Sequence, residues 1–429
     1  MPIAQDNQTL TRVGPGTPMG QLMREYWLPA AKSAELMADG DPVRLKLLGE
    51  ELIAFRDSAG RIGVMDHRCP HRCASLFYGR NEENGLRCIY HGWKYDVDGN
   101  CLDQPNLPPH QVFKDKIKAK AYKAAERSGL VWVYMGAKRP APPLPSLEAT
   151  MLPEARISID FVQRECNWLA GVEGELDTSH IGFLHFGAVK KEHLTEANTQ
   201  RHALVNRTPE YIAQETDYGA VYAAYRPADE GHTYWRFGQF AFPFWTMPPI
   251  NPFPENILNR AYVPLDDEHT MIVDVYTKNA YQALAAATQM PGATTRIYQY
   301  RPNTTDFLGR WRLAGNNTND HLIDRHKQRT ESYTGIEGVQ PQDQAVQESM
   351  GRIVDRSLEH LAPSDMMIAR VRRLLLGAAR GVAQGTIPPG AADPLCLDGV
   401  RGGHFVAAKD RDWLAALADQ RAATAMAAE

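Results

Sequence analysis

Hydrophobic and polar positions in the first third of the chain alternate in short runs broken by turn residues. Val43-Arg44-Leu45-Lys46-Leu47 and the run ending Ile53-Ala54-Phe55-Arg56 read as two strands around a Gly49-Glu50 turn, and Asp57-Ser58-Ala59-Gly60 is a further turn. Val64, Cys88-Ile89-Tyr90, Lys94 to Val97 before Asp98-Gly99-Asn100, and Gly129 to Met135 continue the pattern. Residues 25–138 therefore read as a small all-β domain behind an N-terminal arm, 1–24. Arg139-Pro140-Ala141-Pro142-Pro143-Leu144-Pro145 lacks most backbone donors and is stiff, so 139–155 reads as a linker.

Beyond the linker the periodicity changes. Asn167 to His185 reads as helix; Tyr211–Glu215, Val221–Tyr225, Thr233–Phe242, Ile257–Val263 and Thr270–Thr277 read as strands, rich in Val, Tyr, Phe and Trp but poorly alternating. Leu358, Leu361, Ile368, Val371 and Leu374 or Leu375 among arginines predict one long amphipathic helix over 357–382, begun near Pro363-Ser364-Asp365. Residues 156–400 are thus expected to form an α+β domain, an antiparallel sheet with a late helix across it. The stretch 279–345 is polar and aperiodic, a long excursion. A tail, 401–429, ends in the alanine-rich helix Trp413 to Ala428. There is no internal repeat.

Composition narrows the classes. The 429 residues suffice for two or three domains with real cores. A net charge of −4 gives no basic field for nucleic acid or anionic lipid. The amino terminus has no basic or apolar leader, and no run of about 18 apolar residues occurs. A cytoplasmic protein that neither enters a membrane nor binds nucleic acid is expected. Cysteines are too sparse for a disulfide scaffold, and Cys69, Cys73, Cys88 and Cys101 crowd into one region, which favours metal binding in a reducing compartment.

The densest chemistry is Cys69-Pro70-His71 and, farther on, Cys88-Ile89-Tyr90-His91. Each loop offers one thiolate and one imidazole, so the pair can place two sulfurs on one iron and two nitrogens on the other, the pattern of a Rieske [2Fe-2S] centre. The alternative is a structural Cys2His2 zinc, although zinc fingers pair like with like on each element. Cys73 and Cys101 are read as buried apolar thiols rather than a bridge.

A second constellation follows the linker: Asp177-Thr178-Ser179-His180-Ile181-Gly182-Phe183-Leu184-His185. Two histidines with a distant carboxylate make the facial triad of non-haem Fe(II) oxygenases. In a regular helix His180 and His185 would diverge by about 140°, so both reach one iron only if the helix is interrupted or bulged, with Gly182 a suitable place. Asp177, three residues before His180, can accept the proton of its second ring nitrogen. The third ligand must be a later acid: Asp343, or else Asp355.

From about residue 19 to 380 the chain resembles the phthalate dioxygenase group of Rieske oxygenases. Met23-Arg24-Glu25-Tyr26-Trp27-Leu28-Pro29, both metal motifs, Gln342-Asp343 with Glu348 five residues after the acid, and Ile353-Val354-Asp355-Arg356 all recur there. The resemblance implies a Rieske domain before a helix-grip catalytic domain, a [2Fe-2S] cluster on Cys69, His71, Cys88 and His91, and a mononuclear Fe(II) on His180, His185 and Asp343. It implies Asp177 as the bridge to His91 of a neighbouring copy, in a homotrimer or a hexamer of two trimers. It also implies electrons from a separate NAD(P)H-dependent reductase carrying flavin and iron-sulfur, and O2 as co-substrate. The absence of a strand-flanked Gly-x-Gly-x-x-Gly agrees with a separate reductase.

Relatives with this architecture act on aromatic acids, for which Arg207, Arg226 and Arg236 are candidate carboxylate forks and Phe240 a candidate wall. After Tyr218-Gly219-Ala220 comes Val221, where phthalate-specific members carry arginine, which argues against phthalate itself. The expected reaction is O-demethylation or monohydroxylation of a methoxylated aromatic carboxylate, with cis-dihydroxylation of a phthalate- or chlorobenzoate-type acid as the alternative. A protein that only transfers electrons through the cluster is the alternative of another class.

Overall fold

Two sheets and a shared core organise the chain, seen in a computed structural model that describes residues 4–138, 140–189, 199–250, 252–253, 257–278, 298–391 and 396–428. The first sheet is built from β1 (Trp27–Lys32), β2 (Val43–Leu47), β3 (Glu50–Arg56), β4 (Ile62–Asp66), β9 (Ala121–Arg127) and β10 (Leu130–Tyr134), in the order β1-β10-β9-β4-β3-β2. A smaller lobe inserted between β4 and β9 holds β5 (Arg80–Glu82), β6 (Gly85–Arg87), β7 (Lys94–Tyr95) and β8 (Cys101–Asp103), side by side in chain order. That lobe has its own apolar cluster, in which Leu76, Leu86, Trp93 and Tyr95 surround Cys69 and Cys88. Cys88-Ile89-Tyr90, expected as a strand, is instead a turn, because the Cys88 carbonyl accepts from Gly92 N at 2.9 Å rather than from a neighbouring strand.

Short β11 (Ser146–Leu147) leads into the large antiparallel sheet of β12 (Ile157–Arg164), β13 (Glu210–Thr216), β14 (Gly219–Pro227), β15 (His232–Ala241), β16 (Trp245–Met247), β17 (Leu258–Pro264) and β18 (Thr270–Thr277). Its order is β12-β18-β17-β16-β15-β14-β13; β19 (Cys396–Leu397) pairs with β11, and β20 (Gly403–Ala408) adds to β15. The weak alternation of these strands has a cause: β15 is buried from Thr233 to Ala241 on both faces. On the outer face Phe237 stacks on Phe405 and Trp413, with ring centroids at 5.4 and 6.0 Å. The segment 401–429 is thus more than a tail helix, since β20 pairs along β15 before the helix Trp413–Ala428 begins.

On the inner face lie the helices Trp168–Leu176 and Met366–Ala383. The second buries Met367, Ile368, Val371, Leu375 and Ala379, the 3.6-residue stripe expected of it. It starts at Met366 behind the turn Pro363–Asp365, so Leu358 and Leu361 fall outside it and stand 74% and 46% exposed. The helices Ala4–Thr11 and Pro18–Arg24 of the arm pack on it. One continuous core joins the two sheets, with Trp132 of β10 and Trp245 of β16 fully buried at 6.0 Å between ring centroids. Part of the polar excursion, 279–297, lies outside the described residues; the rest includes the helix Val339–Ser349.

Candidate metal centres

The two Cys/His loops fold alike. Cys69 O accepts from Cys73 N and Cys88 O from Gly92 N, each at 2.9 Å, and the fifth residue of each loop is left-handed, Cys73 at φ 60° and Gly92 at φ 79°. Glycine takes that conformation without strain; cysteine does so only because the loop imposes it. This conformation turns the Cys73 side chain outward, so it is exposed rather than buried as expected, while Cys101 is buried; both are free thiols.

Cys69 and Cys88 are 1% and 3% exposed. The Cys88 thiol is brought down to about 6, chiefly by its hydrogen bond with Cys69 and also by the Tyr90 and His91 amides, while Cys69 is pushed up. Tyr95 Oη sits 3.3 Å from Cys69 Sγ. The His71 and His91 rings lie 4.4 Å apart, and Trp93 stacks on His71 at 4.3 Å and 8°. His91 Nδ1 is buried without a hydrogen-bond partner among the described residues. A pair of interacting thiols and a pair of adjacent imidazoles, one with an orphaned ring nitrogen, fit a two-iron cluster with mixed ligation.

In the second domain the helix begun by Asn167, whose side chain accepts from Leu169 N, ends at Leu176. Asp177 then accepts from Ser179 N at 2.7 Å and starts the 3-10 turn His180–Gly182. Phe186 N bonds to Ile181 O at 3.0 Å, an i to i+5 closure that is wider than an α-turn. That widening is what brings His180 and His185 to one point: their Nε2 atoms are 3.1 Å apart with rings at 81°. Gly182 sits under Arg207, whose Cγ would lie 3.2 Å from an added Cβ.

Asp343, from the helix Val339–Ser349, completes the group. Its Oδ1 lies 3.3 Å from His185 Nε2 and 3.7 Å from His180 Nε2, and one atom from each residue falls within 4.8 Å of the others. Burial resists ionisation of Asp343, but His185, His180 and Arg164 outweigh it and hold the carboxyl down to about 2. Asp355 is elsewhere, exposed and capping the turn Arg356–Leu358 through Ser357 N at 3.0 Å. Asp177 Oδ2 faces His180 Nδ1 at 3.7 Å. On the far side of the site, Gln342 Oε1 is 2.8 Å from His185 Nδ1, and its amide nitrogen donates to Ile336 O. Sequence reasoning missed this glutamine, as it missed Arg164, which holds the helix Val339–Ser349 through Gln340 and Gln347.

Of the candidate substrate residues, Arg226 and Arg236 come together on adjacent strands, Ala224 of β14 being directly opposite Arg236. Each is 4% exposed, and neither has a carboxylate partner among the described residues. Arg226 donates to the carbonyls of Ala203 and Asn206, and burial followed by Arg236 brings it down to about 10. Arg236 Nε donates to Thr178 Oγ1 at 2.9 Å, next in sequence to Asp177. Arg207 is half-buried with its guanidinium 5.2 Å above the Phe183 ring. Phe240 is fully buried in the main core against Phe242.

Residues 26–117 match the Rieske [2Fe-2S] domain, and residues 133–428 match the family described as LigXa C-terminal domain like. The chain belongs to the Rieske non-haem iron oxygenases. It is 47% identical to the 3-chlorobenzoate-3,4-dioxygenase oxygenase subunit of Comamonas testosteroni, over 96% of this chain and 97% of that one. It is 35% identical to the phthalate 4,5-dioxygenase oxygenase subunit of Pseudomonas putida, over 95% and 93%. The crystal structure of dicamba monooxygenase bound to dicamba shares the fold, with a TM-score of 0.57 at 17% identity, over 84% of this chain and 99% of that one. The oxygenase is the terminal component of a multicomponent system that uses O2 and reductase-supplied electrons, and it carries a Rieske cluster and a mononuclear iron. No helix among its described residues is long and apolar enough to cross a membrane.

Proposed function

We propose that this oxygenase oxidises an aromatic carboxylate whose anionic group is held by Arg226 and Arg236. The observation that carries the reading is the pair of buried guanidinia with no acid among the described residues to neutralise them, one of them hydrogen-bonded beside Asp177. A buried cation without a counter-ion is costly, and a bound carboxylate removes that cost while fixing its own orientation through charge-assisted hydrogen bonds. Arg207 is the outer candidate for the same role, and Phe240 backs the sheet behind it.

When bound, the cluster supplies single electrons and the mononuclear iron supplies the site at which O2 is reduced. Cys69 and Cys88 would hold one cluster iron, and His71 and His91 the other. His180, His185 and Asp343 would hold the mononuclear iron, which with three protein ligands would be able to take up O2 beside the substrate. Asp177 keeps the outer nitrogen of His180 protonated and reaches towards His91 of a neighbouring copy in a trimer or a pair of trimers. A cytoplasmic NAD(P)H-dependent flavin and iron-sulfur reductase is the proposed electron source.

Ring cis-dihydroxylation is supported by the name of the 47%-identical relative. O-demethylation or monohydroxylation, expected from the sequence, uses the same centre and the same anchor on a different carbon. The test is turnover of 3-chlorobenzoate and 4-methoxybenzoate against the matching benzamides, scoring dihydrodiol and formaldehyde. Arg236→Gln should raise KM for the acids by about 10- to 100-fold, the loss of one charge-assisted hydrogen bond, and leave the amides nearly unchanged. Equal use of acids and amides by the unsubstituted enzyme would sink the anionic-substrate reading.

A further inference from the structure

An aromatic and cationic strip lies on the Rieske lobe beside the cluster ligands. Phe113 is 41% exposed and meets Trp93 edge-on at 5.6 Å between centroids, and Trp93, itself 3% exposed, stacks face-on upon the ligand ring of His71 at 4.3 Å. Two ring contacts thus join solvent to a cluster ligand. The chain immediately after Phe113 reads Lys114-Asp115-Lys116-Ile117-Lys118, with Lys116 and Lys118 exposed. Lys120 and Lys123 farther along are engaged by Glu50 at 2.5 Å and Asp98 at 3.8 Å. Lys114, Lys116 and Lys118 have no acidic ion-pair partner among the described residues, and Asp115 is the one acid within the strip. The whole chain carries −4, so an acidic partner is repelled by most of the molecule and attracted here.

We propose that the strip Phe113–Lys118 is the landing surface for the acidic face of an iron-sulfur electron donor, and that Phe113 and Trp93 are the contact through which the electron enters at His71. In that step the donor's reduced iron centre loses one electron and the oxidised cluster gains it; no bond is made or broken. The inference rests on the cluster assignment above and adds to it the place and the chemistry of the partner.

The test uses the full-length holoprotein, kept anaerobic, with two donors: a reduced plant-type [2Fe-2S] ferredoxin, which is an acidic protein, and the reduced methyl viologen radical cation, a small cationic one-electron reductant. The charge reversal Lys116→Glu with Lys118→Glu should weaken ferredoxin binding in calorimetry and slow ferredoxin-driven cluster reduction by about tenfold at low salt, an effect that shrinks at about 0.5 M salt. Reduced methyl viologen should reduce the same variant at least as fast as the unsubstituted protein. Phe113→Leu should slow the ferredoxin reaction with binding retained, and Lys409→Glu, on an exposed turn of the other domain, should change neither. Ferredoxin binding and reduction unaltered by the double reversal would overturn the proposal while leaving the cluster intact. A changed oligomeric state instead would assign the strip to a contact between copies and overturn it too. A cluster that neither donor reduces would overturn both this inference and the functional reading beneath it.

Discussion

Gln342 and His185 are joined by a 2.8 Å contact from the amide oxygen to Nδ1, and Gln342 is the residue immediately before Asp343. One step of helix therefore supplies a ligand candidate and the group that orients another. An amide oxygen can only accept, so it fixes the proton on Nδ1 and leaves Nε2, the atom facing Asp343 and His180, free to ligate. Gln342→Leu should lower the affinity for Fe(II) at this site about 10- to 100-fold, measured by titration of the iron-depleted protein, with the cluster spectrum unchanged. Unaltered affinity would mean that packing alone holds the ring.

The carboxylate on the other histidine has a different expected signature. Three acids punctuate this stretch, but Glu173 is taken by Arg356 and Arg372 and Glu175 by Arg260 and Tyr262, which leaves Asp177 beside His180 without an arginine partner among the described residues. Asp177→Asn keeps the shape and removes the charge. Cluster and iron contents should stay near those of the parent, while reoxidation of the prereduced cluster by O2 in the presence of substrate should slow by about 100-fold or more, equivalent to about 3 kcal/mol on the barrier. Stopped-flow absorbance of the cluster reads this directly, and a parent-like rate would remove Asp177 from the route between centres.

How much of this was legible beforehand follows from where the information sits. The cluster loops could be read because their ligands are contiguous and their backbone is self-contained. The need for a break between His180 and His185 followed from helix geometry, but its form, a 3-10 turn followed by an i to i+5 closure, depends on Asp177 capping and on Arg207 lying over Gly182. The helix Val339–Ser349 was hidden because its polar composition resembles a solvated surface. Gln340, Gln342, Gln344 and Gln347 are all buried; Gln340 and Gln347 bond to Arg164, Gln342 to His185 and the Ile336 carbonyl, and the Gln344 amide nitrogen to Glu348, and hydropathy does not register amides bonded in a dry interior. Leu358 and Leu361 misled in the opposite direction, as apolar residues left on the surface.

Beneath the iron site, Glu173 receives Arg356 and Arg372 at 2.8 and 2.6 Å, and Arg356 is fully buried and tied to Asn7 of the arm at 3.0 Å. Burial opposes the charge on Glu173, but the two guanidinia prevail and its carboxyl lies below the usual range. A depressed folded-state value means that the contribution is complete above the ordinary glutamate value and is lost as pH falls through the lower, folded one. Glu173→Gln should cost about 3–5 kcal/mol in urea unfolding at pH 7, because it strands buried arginine charge. The deficit should narrow as pH falls below about 4, where the unfolded parent takes up a proton that the folded protein still refuses, and close as pH passes the lower folded-state value.

At the cluster, the hydroxyl of Tyr95 lies 3.3 Å from Cys69 Sγ within a wholly buried contact. Reduction adds negative charge to the cluster, and a donor on a ligating sulfur stabilises the reduced state more than the oxidised one. Removing it in Tyr95→Phe preserves the ring in the buried cluster that holds Cys69 and Leu86 and deletes only the hydrogen bond. At about 1 kcal/mol for that bond and 59 mV per tenfold change in a one-electron couple, the midpoint potential should fall by roughly 40 mV. Protein-film voltammetry measures the shift, with retention of the visible circular dichroism of the cluster as the control for folding. A rise in potential, or none, would show that the hydroxyl points its proton elsewhere.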